Sequence, residues 1–140
     1  MSWFDKNASN IKKGFIGEEQ VREWFKKKKI PFMQVDIMFK SKGKWCLGEI
    51  KTQEKYKAPP FDGHGLPEWQ IKKRLQFYQD TGIVPYLIVK DVDDECLYLQ
   101  SMIVLDKLTD KDKFKTKGHK PRVVFRLNKF VKIELRNQLF

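Results

Sequence analysis

The sequence predicts a mixed α/β fold, and three observations carry that expectation. Apolar residues recur at helical spacing over 10–28 and 67–80. Two alternating runs flank a glycine-containing turn between 32 and 52. Residues 83–89 form a near-continuous apolar run of the kind buried on both faces of a sheet. The order is therefore helix, hairpin, helix, strand, strand, the pattern of an α/β domain.

The first helix is expected from about Asn10 to Lys28, with Ser9 or Asn10 as its cap. Ile11, Phe15, Val21 and Phe25 share one arc, and Glu18 and Arg22 fall inside it. Lys26 to Lys29 suit the negative end of the helix dipole, and Pro31 stops it. A strand over 32–40 puts Met33, Val35, Ile37 and Phe39 on one face. Ser41-Lys42-Gly43-Lys44 supplies the turn. The return strand, 44–52, gathers Trp45, Leu47, Glu49 and Lys51 on one side and turns Cys46 toward the core. Residues 53–66 lose periodicity and contain Pro59, Pro60, Gly63 and Gly65, so a mobile loop is expected, with His64 a surface histidine like His119. The second helix opens at Pro67 and ends at Thr81-Gly82, with Ile71, Leu75 and Tyr78 as its apolar stripe. Residues 91–94 read as a turn and 95–100 as the strand that follows it. A basic loop over 106–122 and C-terminal strands over 123–136 complete a single domain, 1–140, whose core is expected in 10–105.

Composition narrows the class. The 140 residues carry 29 Lys and Arg against 18 Asp and Glu, a formal charge of +11 that favours a polyanionic partner. At 41% hydrophobic and 14% aromatic the chain can build a core without metal or disulfide staples. No apolar run approaches the roughly 20 residues of a membrane span, and the first ten residues lack the apolar core of a signal peptide. Cys46 and Cys96 are too few for a disulfide scaffold, so a cytoplasmic location and no membrane partner are expected.

The hairpin concentrates the chemistry. Whether its loop is Lys42-Gly43 or all of 41–44, the register sets Asp36 directly opposite Glu49. Facing residues point to the same side with Cβ atoms about 5 Å apart, and like charges there repel. Lys51 shares that face two residues on. Open to solvent, the two acids would merely be hydrated, with Lys51 as counter-ion. Glu18 on the inward arc, the basic charge and the order of the elements argue for a divalent cation instead. Mg²⁺ is held by one or two carboxylates with water and phosphate oxygens, and Lys51 would steady the water or charge of a phosphodiester under attack.

Glu18 on a helix, then Asp36, then Glu49-Ile50-Lys51 resembles the active-site signature of the PD-(D/E)XK nuclease superfamily. Gln70 in Pro67-Glu68-Trp69-Gln70-Ile71, and the helix-to-strand passage 74–89, are similar to Holliday-junction resolvases of the archaeal and Gram-positive or phage types. Val35 stands where the superfamily's name has proline. The resemblance implies a restriction-endonuclease-like core, a central mixed sheet flanked by helices in the order αβββαβ. It implies that Asp36, Glu49, the Ile50 carbonyl and Glu18 bind Mg²⁺, with Mn²⁺ as substitute. Lys51 would position the attacking water and Gln70 would orient water or phosphate. The expected function is a structure-specific endodeoxyribonuclease acting on four-way DNA junctions as a homodimer. Another nuclease of the superfamily acting on duplex or flap DNA, or a non-catalytic DNA-binding module on the same fold, stay open beside it. DNA contacts are expected from Lys12, Lys13, Lys55, Lys57, Lys72, Lys73 and Arg74.

Overall fold

The computed structural model describes residues 16–135. They fall into two units that divide after Gln34.

The first unit holds a helix, α1, over residues 16–27. Lys29 ends it in the left-handed region at φ 56°, while the Ile30 N–H returns to the Phe25 carbonyl at 2.9 Å. Phe25 stacks on Phe32 at a centroid distance of 5.6 Å. The expected inward arc departs from the periodicity: Val21 is 52% exposed, and the Glu18 side chain 65%. Ile11 and Phe15 lie outside the described residues, as do Lys12 and Lys13.

The second unit is an α/β arrangement with a mixed central sheet. Its elements are β1 (Ile37–Ser41), β2 (Lys44–Gln53), β3 (Gly63–Pro67), α2 (Glu68–Thr81), β4 (Val84–Asp91), β5 (Cys96–Ser101), α3 (Met102–Asp106), β6 (Lys113–Lys115), β7 (Arg122–Arg126) and β8 (Val131–Glu134). Among the described residues, five strands form the central sheet in the order β1-β2-β4-β5-β8. Only the β2–β4 pairing in it is parallel; the others are antiparallel. The apolar β4 lies mid-sheet, with Leu87 and Val89 fully buried, as a run of that composition requires.

The β1–β2 hairpin adopts the register expected of it, with Ile37 facing Gly48 and Ser41 facing Lys44. Lys42 and Gly43 both take positive φ, 51° and 77°, the two-residue turn whose twist matches the strands. Helix α2 stops at Gly82, left-handed at φ 77°, whose N–H reaches the Tyr78 carbonyl at 2.7 Å. The expected strand at 32–40 is shorter than its alternation suggests, since β1 begins only at Ile37.

Two expected loops prove to be structured. β3, β6 and β7 form a second sheet in the order β3-β7-β6. Residues 63–66 are buried within it, so that stretch is not a mobile loop. Its glycines are the reason: a Cβ at Gly63 would meet the Phe125 carbonyl at 2.3 Å, and one at Gly65 the Val123 carbonyl at 1.9 Å. The strand exists because it lacks side chains where β7 comes close. The lysine-rich connection likewise contributes β6, and the strands of 123–136 divide between the two sheets. Leu66, Ile71, Leu87, Val89, Tyr98, Met102, Leu105, Phe125 and Phe130 make one core from both sheets, α2 and α3.

Candidate functional site

Asp36 ends the irregular approach to β1, and its Oδ2 accepts the Ile50 N–H at 2.8 Å. That bond holds its carboxylate against the Glu49-Ile50 peptide, across from the residue the hairpin register assigns it. Glu49 lies in the interior half of β2, only 6% exposed, beside Leu87 of β4. A carboxylate so buried needs compensation, and two cations supply it. Arg74 of α2 donates to Oε2 from Nε at 3.0 Å and from Nη2 at 2.6 Å. Lys51 Nζ stands 3.6 Å from Oε1.

Gln70 lies one helical turn before Arg74, on the same side of α2. Its Oε1 is buried and has no hydrogen-bond partner among the described residues. The second unit therefore unites Asp36, Glu49, Ile50 and Lys51 at the hairpin, with Arg74 reaching in from α2. Glu18 belongs to the first unit, where Arg22 Nη1 lies 3.8 Å from its carboxylate.

The oxygen chemistry at the hairpin suits Mg²⁺, a hard cation that takes carboxylate, carbonyl, water and phosphate oxygens. Arg74 occupies Oε2 of Glu49, whereas Oε1 faces Lys51 at the longer distance of 3.6 Å. Asp36 keeps Oδ1 beyond its bond to Ile50. Among the described residues no group of three or more His, Cys, Asp or Glu side chains comes together to hold a metal. A cation at the hairpin would thus rest on Asp36, Glu49 and the Ile50 carbonyl, with solvent and substrate completing its shell.

The expected DNA contacts divide. Lys57, Lys72 and Lys73 are exposed. Arg74 is instead buried and committed to Glu49. Lys55 is withdrawn as well: its side chain is 8% exposed and pairs with Asp91 at 2.8 Å and Asp94 at 2.6 Å. Burial alone would lower its pKa, but hydrogen bonds and charge from the two aspartates raise it above the ordinary lysine value. In the basic stretch, Lys115 pairs with Glu68 at 3.2 Å and Lys113 donates to the Asp106 carbonyl at 2.7 Å. Lys117 and Lys120 are exposed.

Two features escape sequence reasoning. Arg74 reads as one more surface cation until the helix is docked on β2. His64, expected at the surface, is fully buried between Gln53 and Asp91. A signal for the latter was present, because Glu49, Lys51 and Gln53 alternate onto one face of β2. No family model, curated protein or solved structure matches the chain.

Proposed function

We propose that the protein is a metal-dependent endodeoxyribonuclease that hydrolyses DNA phosphodiesters, with four-way junctions as its substrate. One observation carries this reading: Asp36 meets the Glu49-Ile50 peptide across the hairpin while the buried Glu49 shares its face with Lys51. Asp36 is itself exposed, and Arg74 and Lys51 already face the buried Glu49, so a divalent cation would serve to bridge these two like charges set side by side. The mixed central sheet, with the β1–β2 hairpin followed by α2 and the parallel β4, supports a restriction-endonuclease-like core as part of the same proposal, although the third strand of the expected order, β3, pairs in the second sheet.

In this reading Asp36, Glu49 and the Ile50 carbonyl hold Mg²⁺ or Mn²⁺. The cation supplies polarisation of the phosphoryl oxygen and a bound water of lowered pKa. Lys51 steadies the attacking water and the charge that develops on the phosphoryl oxygens. Gln70, whose buried oxygen has no hydrogen-bond partner among the described residues, orients that water or the phosphate. A symmetric homodimer would present two such sites to a roughly two-fold junction. Cys46 and Cys96 are free and buried, as suits a reducing cytoplasm. Among the described residues no helix is long and apolar enough to cross a membrane.

The Arg74 fork favours a second reading, a DNA-binding module without catalysis, because Glu49 already has a cationic partner. Incubating the protein with a labelled four-way junction, a matched duplex and a flap, with and without Mg²⁺, separates the two. The nuclease reading expects the junction to be cut only with Mg²⁺ and the duplex to be spared. Equal cutting of duplex and junction would leave a less selective nuclease. Junction binding without cleavage under any divalent cation would establish the silent module.

A further inference from the structure

His64 is fully buried on β3, and both of its ring nitrogens meet side chains. Nδ1 lies 3.0 Å from Gln53 Oε1, and Nε2 lies 2.7 Å from Asp91 Oδ2. The orientation of the Gln53 amide is set by Gly65. The Gly65 N–H donates to Oε1 at 3.2 Å, and the Gly65 carbonyl accepts from Nε2 at 3.1 Å. Turning the amide over would set N–H against N–H and oxygen against oxygen. The atom facing His64 is therefore an acceptor, and Nδ1 must carry a proton.

The Asp91 side follows the same logic. Its Oδ1 accepts the N–H groups of Asp93 at 2.8 Å and Asp94 at 2.9 Å, and its Oδ2 accepts from Lys55 Nζ at 2.8 Å. Burial alone would raise this carboxyl, but the Lys55 hydrogen bond and those from the main chain and His64 hold it at about 2. An ionised Asp91 only accepts, so Nε2 must carry a proton too.

We infer that His64 is an imidazolium donating from both ring nitrogens, and that with Lys55 it faces the buried Asp91 and the partly exposed Asp94 in a cluster that locks β3 onto the ends of β2 and β4. Two cations meet two carboxylates, since Lys55 also reaches Asp94 at 2.6 Å. The groups around the ring come from several elements, and on the β7 side Phe125 is paired with His64 while Arg122 donates to the Gly65 carbonyl at 3.4 Å. Gln53 comes from β2, with Lys55 just beyond it, and Asp91 comes from β4. Asp93 and Asp94 come from the turn, and Tyr98 of β5 stacks at a centroid distance of 5.3 Å. Lys132 of β8 lies 5.8 Å from the centre of the Tyr98 ring. Burial raises the Tyr98 phenol, so it stays neutral.

Desolvation, the largest influence, and the Lys55 charge would bring the imidazole pKa below its ordinary value despite the upward pull of Asp91. The geometry decides for the charged form, because a neutral ring would leave a lone pair against an acceptor at one of the two contacts. A ring that these two acceptors keep charged contributes stability that is complete below about pH 6.5 and is lost as pH rises through the folded value. β3 runs directly into α2, so the lock also sets the start of the helix that carries Gln70 and Arg74. That consequence alone rests on the nuclease reading, and it makes His64 a positioning residue.

The sequence has two histidines, and His119 is exposed, so the ¹⁵N-labelled full chain with His119→Gln contains a single imidazole to observe. NMR at pH 7 should show two ring N–H protons on His64. One ring N–H opposite an unprotonated nitrogen would overturn the inference. The urea midpoint of the same protein should fall as pH rises above 7, and a flat midpoint up to pH 10 would also overturn it. Neither readout involves DNA or metal, so a failed nuclease assay leaves both standing.

Discussion

Glu49 is anchored from two directions, by the close Arg74 fork on Oε2 and the longer Lys51 contact on Oε1. Removing one partner of a buried pair leaves an uncompensated charge and costs about 3–5 kcal/mol. Arg74→Met should therefore destabilise the chain by about that much in urea without divalent cation. The loss should shrink in saturating Mg²⁺, because the cation takes over part of the compensation. A loss that Mg²⁺ leaves unchanged would count against a cation at Glu49. Asp91 governs the acid side. Its folded pKa of about 2 lies below its ordinary 3.8, so its contribution is present above 3.8 and disappears as pH falls through about 2. Acid titration of the wild type should show stability falling across that window, and Asp91→Asn should flatten this part of the profile.

At the scale of elements, β3 depends on two glycines packed against β7 carbonyls. Gly65→Ala has no room for its methyl group and should destabilise by about 1–3 kcal/mol or more, measurable by urea unfolding. A neutral result would mean that β3 and β7 do not lie as close as described. The same strand shows what the sequence conceals. The hairpin register was legible because Lys42-Gly43 is a strong local turn signal and the alternation on either side is regular. β4 was legible from its unbroken apolar run. β3 was not, since a Gly-His-Gly-Leu-Pro segment has poor strand propensity and owes its conformation to a partner some sixty residues away. In the candidate site, Asp36, Glu49 and Lys51 follow from that hairpin register. Arg74 does not, because helical spacing alone cannot say which of several adjacent cations turns toward a buried carboxylate. Periodicity sets Glu18 on an inward arc, yet its side chain is largely exposed, as α1 packs through Phe25 on Phe32.

For the molecule as a whole, the +11 charge is divided between tasks. Arg74 and Lys55 are used internally, to neutralise Glu49 and the Asp91–Asp94 pair. Lys57, Lys72 and Lys73 remain at the surface. Replacing each of these three with alanine should lower the salt slope of DNA binding by about one unit per lost phosphate contact. Lys55→Ala should instead weaken the fold and leave that slope unchanged. Fluorescence anisotropy titrations at several salt concentrations check both outcomes. In the proposed reading the acids at the hairpin give the basic surplus its meaning: the cations would draw a polyanion in, and Asp36 and Glu49 would cut it. The most direct test is junction cleavage in Mg²⁺ by wild type and Asp36→Asn, compared at equal junction occupancy. The account predicts that wild type cuts and that Asp36→Asn binds the junction but loses cleavage. Cleavage by Asp36→Asn at the wild-type rate would contradict it.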